Sequence, residues 1–132
     1  MISSQDFKIY LIVLVLFGMF DFIYLVLFEE GNNKYIPMHS KIQGSDVSLR
    51  YLSAIIAYLL LALGITYFVV NTSKDGWKAI GNGIIFGLVS YGIYNATNYA
   101  LLKDYELKVA VQDTVWGMFA SAGVGGLAML FV

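Results

Sequence analysis

Four long apolar runs constrain what this chain can fold into. They cover residues 9–28, 51–70, 80–102 and 107–132. A hydrocarbon core needs about 20 helical residues at roughly 1.5 Å of rise each, and each run supplies that length. Lipid offers no hydrogen-bond partners, so a spanning segment satisfies its backbone as a helix or within a closed barrel. None of the runs alternates apolar and polar residues as a barrel strand would. The pattern therefore predicts an all-α membrane protein, a single four-transmembrane-helix bundle over residues 1–132 with both termini on the same side.

Composition agrees. Apolar residues make up 59% of the chain and charged residues 13%, against about 45–50% and about 25% in soluble domains. That deficit of charge fits a lipid bilayer as partner better than an enlarged soluble core. Ten Tyr and two Trp suit the interfacial belts of a membrane protein, with Tyr35, Trp77 and Tyr105 placed where anchors belong. With no Cys, disulfide, thiol and zinc-thiolate chemistry are excluded. A net charge of −1 provides no basic stripe for nucleic acid. The first run follows a single basic residue, Lys8, and ends at Phe28-Glu29-Glu30 without a small-residue cleavage site. It reads as a retained span, and Glu29 and Glu30 as its solvated end.

The connections alternate between a loop end, holding residues 29–50 and 103–108, and a turn end, holding both termini and residues 71–78. Lys34, Lys41, Arg50, Lys103 and Lys108 flank the loop end, and Lys8, Lys74 and Lys78 the turn end. The positive-inside rule then favours a cytoplasmic loop end and external termini. The first loop is long enough to do more than connect. Pro37 is expected to forbid a continuous helix through it, and its scattered apolar residues suit a segment resting on the interface or capping the bundle. His39, the only histidine, reads as a solvated loop residue without partners for a metal site.

Small residues recur at helical spacing: Gly83 and Gly87 in the third run, Gly117, Ser121 and Gly125 in the fourth. Such stripes let backbones approach where lipid provides no hydrophobic drive for association. They read as packing positions within or between protomers.

Polar residues inside the runs are the functional lead. Helical rise places Asp21 roughly 10 Å in from the loop end, Asn95 at a similar depth, Asn98 one turn nearer that end, and Asp113 roughly 9 Å in. Thr97 lies between the two asparagines. Tyr91, Asn95 and Asn98 form one stripe; Asp113 and Gly117 share a face with Trp116 adjoining it. Arg50 sits at the rim of the second run, with Tyr58 descending toward the same layer. A carboxylate in hydrocarbon costs at least about 2.5–3.5 kcal/mol, so it is paired, protonated or wet, and such groups are proton or cation sites by default. The alternative is that Asp21 and Asp113 bond to Asn, Tyr or Arg50 and fix helix register. No Ser-His-Asp set, HExxH or phosphate-binding glycine loop is present.

The segments Gly87-Leu88-Val89-Ser90-Tyr91, Tyr94-Asn95-Ala96-Thr97-Asn98 and Asp113-x-x-Trp116-Gly117 resemble the DUF2177 family of small predicted membrane proteins, with bacterial and large-DNA-virus members. Asp21 followed by Tyr24-Leu25 is similar to the family's Asp-x-x-Trp-Leu pattern, with Tyr in place of Trp. The family often carries Asp where this chain has Asn95. A mechanism requiring that carboxylate does not transfer here, whereas a hydrogen-bonding role does. The resemblance implies four helices and this choice of polar residues, and supplies no activity or cofactor.

Three functions are open at this point. The first is an ion-, proton- or polar-solute-binding or conducting protein working as a homo-oligomer, with Asp21 and Asp113 as titrating or cation-binding groups and Asn95, Thr97 and Asn98 as neutral ligands. The second is a scaffold or viral inner-membrane component whose polar layer specifies assembly. The third, ranked last, is an enzyme acting on lipid at the loop end.

Overall fold

The computed structural model describes residues 2–28 and 35–132; Glu29, Glu30 and Lys34 lie outside the described residues. Every regular element among them is helical. Helix α1 (Ser4–Phe28) starts earlier than its apolar run because of a reciprocal cap. The Ser3 hydroxyl accepts from the Asp6 N–H at 3.0 Å, and the Asp6 carboxylate accepts from the Ser3 N–H at 2.9 Å, satisfying donors that a helix start otherwise leaves orphaned.

Helix α2 (Tyr35–Gln43) occupies the first loop, which corrects the expectation from Pro37. The proline sits in the first turn, where its missing N–H removes no intrahelical bond. Gly44, with φ 77°, ends the helix in the left-handed region that favours glycine.

Helix α3 (Tyr51–Gly64) runs on into a π-helical stretch, Ile65–Val70. There the Asn71 N–H reaches the Thr66 carbonyl at 2.9 Å, and the Thr66 hydroxyl bonds back to the Ala62 carbonyl at 2.7 Å. Asp75 caps α4 (Gly76–Leu101) by accepting from the Lys78 N–H at 2.8 Å. Helix α5 (Leu107–Ala128) closes in a short 3-10 turn, Met129–Phe131.

Among the described residues, three segments combine the length and hydropathy needed to cross a membrane: Ser4–Val26, Tyr51–Val70 and Leu107–Phe131. The described fold is thus all-α, with three candidate spans among its five α-helices. Helix α4, at 26 residues, has the length, but Asn82, Ser90, Asn95 and Asn98 dilute its hydropathy.

Helices α4 and α5 form the closest pair. A Cβ added at Gly83 would lie 2.5 Å from the Ser121 carbonyl oxygen, and one at Gly87 would lie 2.3 Å from that of Gly117. Neither helix could approach so closely with larger residues there. Ser121 is fully buried at this seam, and Gly125 admits Val69 of the π-helical stretch. Gly117 leaves room for the Tyr91 ring.

The main core gathers at the turn end, where Val13, Phe17, Ile65, Val69 and Val124 are fully buried. Asn71 donates to the Asp6 carboxylate there at 2.9 Å. At the loop end α3 departs from its neighbours, and Tyr51 and Leu52 are 75% and 72% exposed. A second small core forms at that end. Met38 of α2 packs with Tyr105, Val109 and Ala110, and the Glu106 N–H points to the Met38 sulfur at 3.1 Å. Helix α2 therefore caps the α4–α5 connection.

Candidate functional site

Because the bundle is tight at the turn end and splayed at the loop end, a cavity of about 760 Å³ opens between the helices. Asp21 and Asp113 both line it, the first from α1 and the second from α5. Tyr58 lines it from α3, Tyr91 and Tyr94 from α4, and Tyr35 from α2. Both aspartates are half-buried.

Each carboxylate has its own set of partners. Asp21 accepts a short hydrogen bond from the Tyr58 hydroxyl through Oδ2. Its Oδ1 accepts from the Trp116 indole N–H at 3.3 Å. One side chain of α1 is thereby tied to α3 and α5 at once. The Trp116 ring stacks on Tyr24 at 4.5 Å between centroids, which fixes the direction of its N–H.

Asp113 belongs to a second chain of bonds. Its Oδ2 accepts from Asn95 Nδ2 at 2.8 Å; the same amide donates to the Tyr91 carbonyl at 2.9 Å. On the other side, the Tyr105 hydroxyl donates to Asn95 Oδ1 at 2.7 Å. Asn95 is 2% exposed and makes these three bonds at once. It acts as a bridge that presents an amide to Asp113 and anchors the start of α5.

Above this bridge, the Tyr35 and Tyr94 hydroxyls meet at 2.7 Å. His39 Nδ1 lies 2.8 Å from the Tyr35 carbonyl, and its ring packs against Tyr35 and Tyr105. The expected solvated histidine is thus half-buried on α2, among aromatic rings. Burial, followed by the bond to Tyr94, pushes the Tyr35 phenol well above its ordinary range. Tyr105, expected as an interfacial anchor, is buried instead, and that burial pushes its phenol up to about 12.

The candidate residues divide accordingly. Asp21, Tyr58, Tyr91, Asp113 and Trp116 line the cavity, and Asn95 stands directly behind it. Asn98 lies against the Tyr105 phenol. Thr97 is exposed on the outer side of α4, and Arg50 is exposed at the start of α3; neither lines the cavity. For Thr97 the reason is helix geometry: two residues from Asn95 is about 200° around the axis. Arg50 belongs to the extended lead-in to α3, with φ −87° and ψ 97°, and is carried away from the layer.

Tyr24, Tyr35, Tyr94 and Tyr105 join the site beyond the residues expected from the sequence. Two of them had a signal. Tyr24 follows Asp21 by three residues, and Tyr94 follows Tyr91 by three, which puts each on its neighbour's face. Tyr35 and Tyr105 reach the site through the docking of α2, which no local pattern encodes.

No curated protein and no solved structure matches the chain. The model of one family does, over residues 7–130, which is nearly the whole sequence. An integral, multi-pass membrane location follows from that match together with the three apolar helices. The chain belongs to the DUF2177 family of predicted membrane proteins.

Proposed function

We propose that the chain is a four-span membrane protein whose intramembrane cavity binds a small ion, a proton or a polar solute at Asp21 and Asp113. The observation that carries this reading is that both carboxylates line one cavity instead of closing on each other in a dry core. Intramembrane carboxylates facing a cavity mark ion and proton pathways.

The fourth span in this reading is α4. Its outward residues are apolar, with Ile85 63%, Val89 52% and Ile93 63% exposed, while Ser90 lines the cavity, Asn95 is buried beside it, and Asn82 bonds to Thr72 and Ser73 at the turn end. Its modest hydropathy arises from polar residues that face the site or bond to the neighbouring turn, and polar residues so paired are compatible with spanning. With four spans, the cap at Asp6 and the 3-10 turn at Met129 share one membrane side. The glycine contacts fill the space between α4 and α5, so conduction requires a second copy of the chain.

The test is ion and proton flux into liposomes, comparing wild type with the Asp21→Asn, Asp113→Asn double variant at matched reconstitution. Loss of flux is expected; equal flux removes the proposal. A structural reading is favoured by one feature, the bridging of α1 to α3 and α5 through Asp21. It predicts that the same double variant changes oligomer size in detergent and has no flux to lose.

A further inference from the structure

We infer that the guest of the cavity is an organic monocation with an apolar body, such as an aryl- or alkyl-substituted ammonium, whose charge is held at Asp113. This deepens the proposed solute site and rests on it.

Size argues first. About 760 Å³ falls within the roughly 300–1,000 Å³ typical of small-molecule pockets. An inorganic cation instead needs a close shell of about six or more oxygens. Among the described residues no three metal-ligating side chains come together.

Charge argues second. Two carboxylates line the cavity, and no Lys, Arg or His does so among the described residues. The two carboxylates are not equivalent. Tyr58 and Trp116 occupy both oxygens of Asp21. Asn95 occupies Oδ2 of Asp113, and no described residue hydrogen-bonds its Oδ1. Of the two lining carboxylates, Asp113 is thus the one with an anionic oxygen that no described residue hydrogen-bonds.

The walls argue third. Tyr24, Tyr58, Tyr91, Tyr94 and Trp116 supply aromatic surface, and Leu25, Ala54 and Leu61 supply aliphatic surface. Aromatic faces carry the negative lobe of a quadrupole, which attracts cations and is the recurring means of recognising quaternary ammonium groups. Those walls also accommodate an apolar body, whereas a sugar-like solute would find few donors and acceptors.

The test uses purified protein in detergent and two probes of nearly equal shape: benzyltrimethylammonium and its neutral carbon isostere neopentylbenzene. Binding is read by isothermal titration calorimetry, with helicity of each variant checked by circular dichroism. The cation should bind the wild type at least about tenfold tighter than the isostere. Asp113→Asn should abolish that preference. Ala57→Phe, which fills the cavity from α3 and leaves both carboxylates in place, should abolish binding of both probes.

Equal binding of the two probes, or a preference that survives Asp113→Asn, overturns the inference and points to a neutral apolar guest such as a lipid chain. Binding of neither probe, with proton or potassium flux that depends on Asp113, overturns the inference and leaves the solute-site reading standing. Binding of neither, with flux unchanged in Asp113→Asn, overturns both.

Discussion

Gly87→Ala tests whether the close approach of α4 and α5 sets the site. A Cβ at this position would stand 2.3 Å from the Gly117 carbonyl oxygen, 2.5 Å from the Met118 Cα and 2.6 Å from the Gly117 carbonyl carbon. All three are backbone atoms, so no rotamer change relieves the clash, and the helices must part by about 1 Å to restore ordinary contact. Overpacking of this kind costs about 1–3 kcal/mol. The intrinsic gain of Ala over Gly in a helix, about 0.8–1.0 kcal/mol, offsets part of it. Parting the helices also stretches the 2.8 Å bond from Asn95 to Asp113, worth about 0.6 kcal/mol for an average interhelical bond in a membrane. The net expectation is a loss of about 0.6–2.8 kcal/mol. Gly81→Ala on the same helix is the matched control, because a Cβ there meets nothing within 4 Å, and only the propensity gain applies. Reversible unfolding in mixed micelles, followed by far-UV circular dichroism, reads both. If Gly87→Ala proves as stable as Gly81→Ala, backbone contact at Gly87 does not set the approach of α4 to α5.

Other predictions address the polar network. Asn95→Leu strips a partner from Asp113 and from Tyr105, and should lower stability by about 1–2 kcal/mol in the same assay; no change would mean that Asn95 does not act as a bridge. Tyr58→Phe removes the only hydrogen bond seen between Asp21 and α3, and should loosen α3, visible as faster amide exchange over residues 51–58 than over residues 65–70. Uniform exchange along that helix would refute this. Finally, the folded state raises the Tyr105 phenol from 10.0 to about 12. The neutral form is favoured in the fold, so its contribution is complete below pH 10 and declines as pH rises toward 12. The stability gap between wild type and Tyr105→Phe should narrow over that window; a gap constant from about pH 9 to 12 would contradict the burial of this hydroxyl.

The depth of the polar layer was legible in the sequence because helical rise is fixed. Counting residues from the ends of the runs sufficed to set Asp21, Asn95 and Asp113 level. Their rotation was partly legible: Tyr91 and Asn95 share a stripe, and the same periodicity places Thr97 on the outer side of α4. Pairing was not. The two aspartates take separate partners, Tyr58 and Trp116 for one and Asn95 for the other. Each of those bonds joins residues far apart along the chain, and nothing local selects among the available tyrosines and asparagines.

What the sequence determined by itself is the solvent of this protein and the length of its apolar helices. Hydropathy and backbone hydrogen bonding are properties of a single segment, so they need no knowledge of neighbours. What only the tertiary structure decided is where those helices touch and where they part. Backbone contact at Gly83 and Gly87 draws α4 onto α5, while the core of Phe17, Ile65 and Val69 closes the turn end. The loop end is left splayed, and α2 docks there on Tyr105 and Val109. The cavity beside Asp21 and Asp113 is a consequence of that uneven packing. It exists because apolar side chains and small residues are distributed unequally along the bundle, a property of all the helices together and of none alone.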